Sequence, residues 1–108
     1  MKKFIIAAIV VTALMVLGCE LPPEDSIYSV LYYGNGNTYG FPPTDPVEYT
    51  SGMEATVLDK GTLIKTGSAF QHWNTKSDGT GTSYVSGDTI TINYTNVFLY
   101  AIWVESQE

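Results

Sequence analysis

The chain contains no arginine, one cysteine and one histidine among 108 residues, and each scarcity closes off a class of chemistry. Clustered cations are what hold a phosphate backbone. After Cys19 only three lysines remain, Lys60, Lys65 and Lys76, against all eleven carboxylates. Nucleic acid is thereby excluded as a partner, and so is electrostatic adhesion to anionic lipid headgroups. A lone cysteine cannot close a disulfide within the chain. A lone histidine, His72, leaves a zinc site without a second imidazole. His72 could activate a serine only with Asp78 or Asp88, and nothing in their spacing demands it; a strand histidine beside Trp73 reads as structural. The expectation is a protein that is not an enzyme and carries no cofactor and no metal. Amphipathic stretches of ordinary helix length are also lacking, which points away from helical layers.

Cys19 has a different use. Lys2 and Lys3 precede fifteen uncharged, mostly apolar residues, Phe4 to Gly18. A signal peptide takes about 7–15 apolar residues and a membrane-spanning helix about 20. The stretch ends Val16-Leu17-Gly18-Cys19, which resembles a bacterial lipoprotein lipobox with Val16 where leucine is usual. That resemblance implies cleavage between Gly18 and Cys19, loss of residues 1–18 and a diacylglycerol on the Cys19 thioether. Acyl chains contribute about 0.8 kcal/mol per buried methylene, so the membrane partner is reached through lipid on Cys19. An ordinary secretory signal with a chance cysteine, or an uncleaved anchor, are the other readings. Glu20, rather than aspartate, follows the cysteine and favours the outer membrane or cell surface over the inner membrane of a bacterial envelope. The organisation expected is a signal peptide over 1–18, a lipidated cysteine and acidic Pro22-Pro23 tether over 19–26, one domain over 27–104 and a tail over 105–108.

Within the domain the pattern is β. Ile27–Tyr33 is rich in β-branched and aromatic residues and stops at Gly34-Asn-Gly-Asn37, a turn sequence tolerant of positive φ. Three prolines bar Tyr39–Pro46 from a central strand or a helix. Val47–Thr50 reads as a weak edge segment, and Met53–Leu58 as a half-buried strand. Thr62–Thr66 is the one candidate for a helical turn. Ser68–Asn74 reads as a strand and Asn74–Thr82 as a long turn-rich loop. Asp88–Tyr94 alternates strictly, predicting Ile90, Ile92 and Tyr94 on the inner face. Val97–Val104 is apolar on both faces, as expected of a strand in the middle of a sheet. The fold class is mainly β, α+β at most.

Longer-range order is visible in Gly67-Ser-Ala-Phe-Gln-His-Trp73, then Asn74-Thr-Lys-Ser-Asp-Gly-Thr-Gly81, Tyr84, Gly87-Asp88 and Leu99-Tyr-Ala-Ile-Trp103. In this order and spacing the elements resemble the internalin B repeat, or Listeria–Bacteroides repeat, of bacterial surface proteins. Val30–Gly36 resembles its opening strand and turn, and Pro42–Pro46 its proline segment. Ser68 and His72 depart from the usual tyrosine and glycine. The resemblance covers residues 28–104 and implies a small β-grasp-like mixed sheet with little or no helix, and no enzymatic activity.

Asn74–Gly79 loosely echoes the start of a calcium loop, but Lys76 stands where an acid is needed and Val85 at the closing position, so a self-capped turn is favoured. Trp73 and Trp103 are expected in the core. Tyr32, Tyr33, Tyr39 and Phe41 flank glycine and proline turns and form the candidate binding surface. The resulting expectation is an envelope lipoprotein presenting one adhesion-type module to an envelope, matrix or host protein or glycan. The competing expectation is a structural spacer or coat lipoprotein with no specific ligand; a large exposed aromatic patch would favour the first.

Overall fold

The computed structural model describes residues 26–106; the signal segment, Cys19 and the tether up to residue 25 lie outside the described residues. Six strands run in chain order: β1 (Val30–Tyr33), β2 (Glu54–Thr56), β3 (Ser68–Asn74), β4 (Ser83–Tyr84), β5 (Thr89–Thr91) and β6 (Val97–Glu105). They form a four-stranded sheet in the order β1-β6-β3-β4 and a two-stranded sheet of β2 and β5. The larger sheet is mixed: β6 pairs parallel with β1 and antiparallel with β3, and β3 pairs antiparallel with β4. No helix occurs among the described residues. The mainly β expectation therefore holds, with a second small sheet that the sequence reading did not separate.

The longest apolar run of the domain, β6, takes an interior position in the larger sheet. Its alternate residues Leu99 and Ala101 are fully buried, and they join Val30 and Tyr32 of β1 and Trp73 of β3 in one core. From the small sheet and its extensions Ala55, Val57, Ile90 and Ile92 enter the same core, closed by Leu63 and Tyr49. Burial of such side chains contributes about 1.5–3 kcal/mol each, which matters for a domain of this size with no disulfide.

Period-2 alternation would put Phe70 and Trp73 on opposite faces. The β3–β6 register shifts between Phe70 and His72, so Gln71 is an extra residue on the β3 side. This bulge brings both aromatics inward, with centroids 5.1 Å apart and planes at 67°. Tyr32 meets Trp73 edge-on at 4.8 Å, and Phe70 meets Trp103 at 5.9 Å. Two of these side chains also serve a backbone left outside the ladders. Leu58 N–H donates to the Tyr32 hydroxyl (3.0 Å), and the Trp73 indole N–H donates to the Leu58 carbonyl (2.9 Å).

Two local expectations are corrected. Thr62–Thr66 is not a helical turn: Ile64 forms an isolated antiparallel bridge with Tyr39, whose N–H and C=O both bond to Ile64 at 3.0 Å. That pairing captures the segment before an i→i+4 ladder can start. Tyr94 is not on the inner face. β5 ends at Thr91, the backbone at Tyr94 turns to φ 60°, and the ring is 44% exposed. The alternation persists through Ile92 and fails where the chain must turn back toward β6.

Tyr49 supplies a pH-dependent element. Its hydroxyl donates to Asp45 Oδ2 at 2.6 Å, and its N–H and C=O bond to Tyr28. Burial first, then the Asp45 carboxylate, pushes the phenol up to about 12. A free tyrosine ionises near 10. The folded state thus keeps its proton longer than the unfolded chain, and this contribution is full below pH 10 and lost as pH rises toward 12. The stability difference between the natural chain and Tyr49→Phe, read from urea midpoints, should shrink over that window. A difference constant from pH 9 to pH 12 would show that burial and Asp45 do not raise the phenol.

Candidate functional site

Strand geometry splits the four expected surface aromatics. Along β1 the pattern is buried, exposed, buried, exposed. Tyr32 is therefore corrected: it is 6% exposed, packed on Trp73, and its hydroxyl, held protonated by burial, accepts from Leu58. Adjacent residues of a strand point to opposite faces, so Tyr32 and Tyr33 cannot share a surface. Tyr33 stands on the outer face of the larger sheet. Tyr39 and Phe41 lie elsewhere, held against the Gly61–Ile64 segment by the Tyr39–Ile64 bridge and by Phe41 N–H donating to Thr62 Oγ1 at 3.0 Å. Both rings are largely exposed, Phe41 to 79%.

On the outer face Tyr33 is part of something larger. It stacks on Tyr100, its register partner, at 5.1 Å and 20°, and on Phe98 at 6.3 Å and 25°. Leu31 precedes it on β1, and Ile102 and Val104 continue the stripe along β6. Leu31, Tyr33, Phe98 and Val104 are each 37–44% exposed. The 75–82 loop lies against Ile102 at one end of this face, and among the described residues no strand covers the rest. Phe98 and Tyr100 were missed because a strand apolar on both sides reads as buried on both sides. The signal that could have found them is the count of partner layers: a sheet of this size with one small companion sheet can cover only one face.

The turn elements at the top of β1 and β3 are tightly organised. Asn35, at φ 55°, donates from Nδ2 to the carbonyls of Ser77 (2.9 Å) and Ala101 (2.8 Å). The Trp103 indole N–H donates to the Gly34 carbonyl at 2.9 Å, and this tryptophan is partly buried against the core. Trp73, by contrast, is fully buried. In the 75–82 loop, the oxygens that could suggest calcium are spent on the loop's own amides. Asn74 Oδ1 accepts from Lys76 and Gly81, Thr75 Oγ1 from Thr82, and Asp78 Oδ1 from Thr80 N–H and Oγ1. The Thr80 hydroxyl and amide hold the Asp78 carboxyl below the usual carboxylate range.

His72 is half-buried on β3 just beyond the bulge. The carboxylates considered beside it are engaged in their own turns, Asp78 as above and Asp88 accepting from Val85 N–H at 2.8 Å. Among the described residues no three histidine, cysteine or acidic side chains cluster as metal ligands. No helix among them is long and apolar enough to cross a membrane. Gly18 and Cys19, the expected cleavage and lipid-attachment positions, lie outside the described residues.

Comparison with known proteins places this geometry. The family model described as the Listeria-Bacteroides repeat domain matches residues 28–102. A protein of Evansella cellulosilytica named "Putative Gly-rich membrane protein" is 42% identical over 77 residues, covering 70% of this chain and 9% of its own length. A second from the same organism, named "Putative membrane protein", is 38% identical over 80 residues, covering 73% of this chain and 12% of its own. The chain thus spans only a small part of each of these relatives. No solved structure matches it.

Proposed function

Because the chain belongs to the Listeria-Bacteroides repeat family, we propose that it is a non-enzymatic, lipid-anchored protein of the bacterial envelope that presents one interaction module to a protein or glycan. The observation that carries this reading is the uncovered aromatic stripe of Tyr33, Phe98 and Tyr100 on the outer sheet face. Rigid, partly exposed aromatics bind at low entropy cost, and apolar patches of this kind mark interaction surfaces. A passive spacer would gain nothing from leaving them open to water. The lipobox-like Val16–Cys19 and the word "membrane" in both relatives' names support an envelope location, with outer membrane or surface favoured by Glu20.

Two measurements test the two halves. Cys19→Ala in the full-length chain should abolish palmitate labelling and move the protein from the membrane to the soluble fraction; labelling that persists would defeat the anchor. For the module, capture of envelope, matrix or host components by the full-length chain should fall at least tenfold in Tyr33→Ser/Phe98→Ser. Equal capture by both would remove the aromatic face from the function.

A further inference from the structure

A second feature lies on a different part of the molecule. Between the Lys60–Ser68 segment and the strands β3 and β6 there is a cleft of about 370 Å³. Ile64, Ala69, Phe70 and Trp103 form its apolar walls over the fully buried Leu63, and Lys60, Lys65 and Ser68 complete it. Its volume falls at the lower end of small-molecule sites, which pair apolar walls with a few fixed polar groups. Another cleft, of about 260 Å³, is lined by Tyr84, Ile90, Val97 and Phe98 with two neutral polar residues and carries no charge.

Charge singles out the first cleft. Two of the three lysines that follow Cys19 line it, in a chain of net charge −6. Lys60 is held, and Lys65 is half-buried. Lys60 Nζ donates to the Leu63 carbonyl at 2.9 Å, which fixes one ammonium. The Lys65 ammonium reaches toward Gly36 of the Asn-Gly turn. An anion repelled by the net charge of the chain finds two cations here. Asp59 beside Lys60 accepts from the Gly61 amide at 2.9 Å, and Glu105 stands opposite Ser68 in the ladder, so the attraction is local and screened by salt.

Shape narrows the anion. Phe70 and Trp103 meet at 80°, edge to face, and their two planes make a corner. The Trp103 indole is held in place by its bond to Gly34, so the corner is formed in advance. A rigid six-membered ring fits such a corner, laying its C–H face on one plane and its edge on the other, at little entropic cost. The short, flexible side chain of an acidic peptide would reach the lysines and leave the corner uncovered. The geometry points to a binding site for a carboxylate-bearing sugar, with Phe70 and Trp103 receiving the ring and Lys60 and Lys65 the carboxylate. This rests on the reading of the domain as an interaction module and assigns it a ligand class.

The two tryptophans provide the readout, because Trp103 lines the cleft and Trp73 is sealed in the core. Full-length chain in detergent is titrated with trigalacturonate while both indole N–H resonances are followed. The expected result is a saturable shift of Trp103 with Trp73 unmoved, no shift with neutral trigalactose, and affinity at least tenfold weaker in Lys60→Gln/Lys65→Gln. Should that pair disturb the Leu63 contact, Lys65→Gln alone is expected to weaken binding at least threefold with an otherwise unchanged amide spectrum. Tyr33→Ser/Phe98→Ser is expected to leave this binding intact. The inference is overturned by a silent Trp103 at millimolar trigalacturonate, by an equal response to the neutral sugar, or by tetraglutamate binding more tightly. If the aromatic face captures a partner while Trp103 stays silent, the ligand class falls and the interaction reading stands; if neither surface binds anything, both fall.

Discussion

Replacing Trp73 with alanine is expected to cost about 3–5 kcal/mol, the range for deleting a buried aromatic side chain. At roughly 0.05–0.15 kcal/mol per residue, a domain of this size holds only about 4–12 kcal/mol in total. The substitution therefore removes from about a quarter to all of that stability. Trp73 is fully buried, touches both Tyr32 and Phe70 edge-on, and donates to the Leu58 carbonyl, so the loss is of packing and of a hydrogen bond together. Trp73→Phe separates the two. It keeps most of the ring area and strands the Leu58 carbonyl, at about 1–3 kcal/mol. Tyr32→Phe strands the Leu58 N–H in the same way. Because both act on one residue's backbone, their double-mutant cycle should show coupling rather than simple addition. Urea unfolding followed by near-UV circular dichroism, with Trp103 still present as a probe, measures all three. A midpoint for Trp73→Ala near that of the natural chain would remove Trp73 from the centre of the core.

Much of this core could be read from residue order. β3 was expected over Ser68–Asn74 and is found there, because the aromatic residues Phe70 and Trp73 are bounded by turn residues on both sides. β6 was expected in the interior of the sheet and lies between β1 and β3. What could not be read is where one face ends and another begins. The bulge at Gln71 reverses the faces of β3 partway along, so alternation alone misplaces Phe70 relative to Trp73. β4 has two residues, too short for any periodic signal. The Tyr39–Ile64 bridge joins segments with no regular pattern of their own, and such pairing is decided by tertiary contact. The candidate surface suffered from the same gap. Turn proximity drew Tyr32 onto it, whereas one step of strand alternation places Tyr32 inside and Tyr33 outside. Phe98 and Tyr100 were hidden by reading apolar as covered.

Asn74 is the position where a polar residue is expected to matter as much as an aromatic one. It is fully buried at the end of β3. Its Nδ2 donates to Ser83 Oγ at 3.0 Å and to the carbonyls of Gly79 and Gly81 at 3.3 Å, while Oδ1 accepts from the Lys76 and Gly81 amides at 2.9 Å. One amide group thus stands in for the backbone partners that the 75–82 loop lacks. Asn74→Ala leaves two N–H groups and two carbonyls of a partly exposed loop to find other partners, at roughly 1–3 kcal/mol. The loss should be concentrated in the loop, so trypsin should cut after Lys76 much faster while cutting after Lys60 and Lys65 changes little. Uniform acceleration at all three would mean global rather than local unfolding, and unchanged cutting would mean that Asn35 and Thr75 hold the loop without Asn74. Asn74→Asp refines the argument. It keeps the acceptors for Lys76 and Gly81 but turns a carboxylate oxygen toward two carbonyls, so the charged form is disfavoured and the folded pKa is raised. A raised folded pKa means that stability is recovered on acidification and lost again as pH rises. Relative to Asn74→Ala, Asn74→Asp should therefore gain stability as pH falls through the carboxylate range. An aspartate variant that instead loses ground to alanine on acidification would show that the two accepted amides, not the three donated bonds, hold the loop.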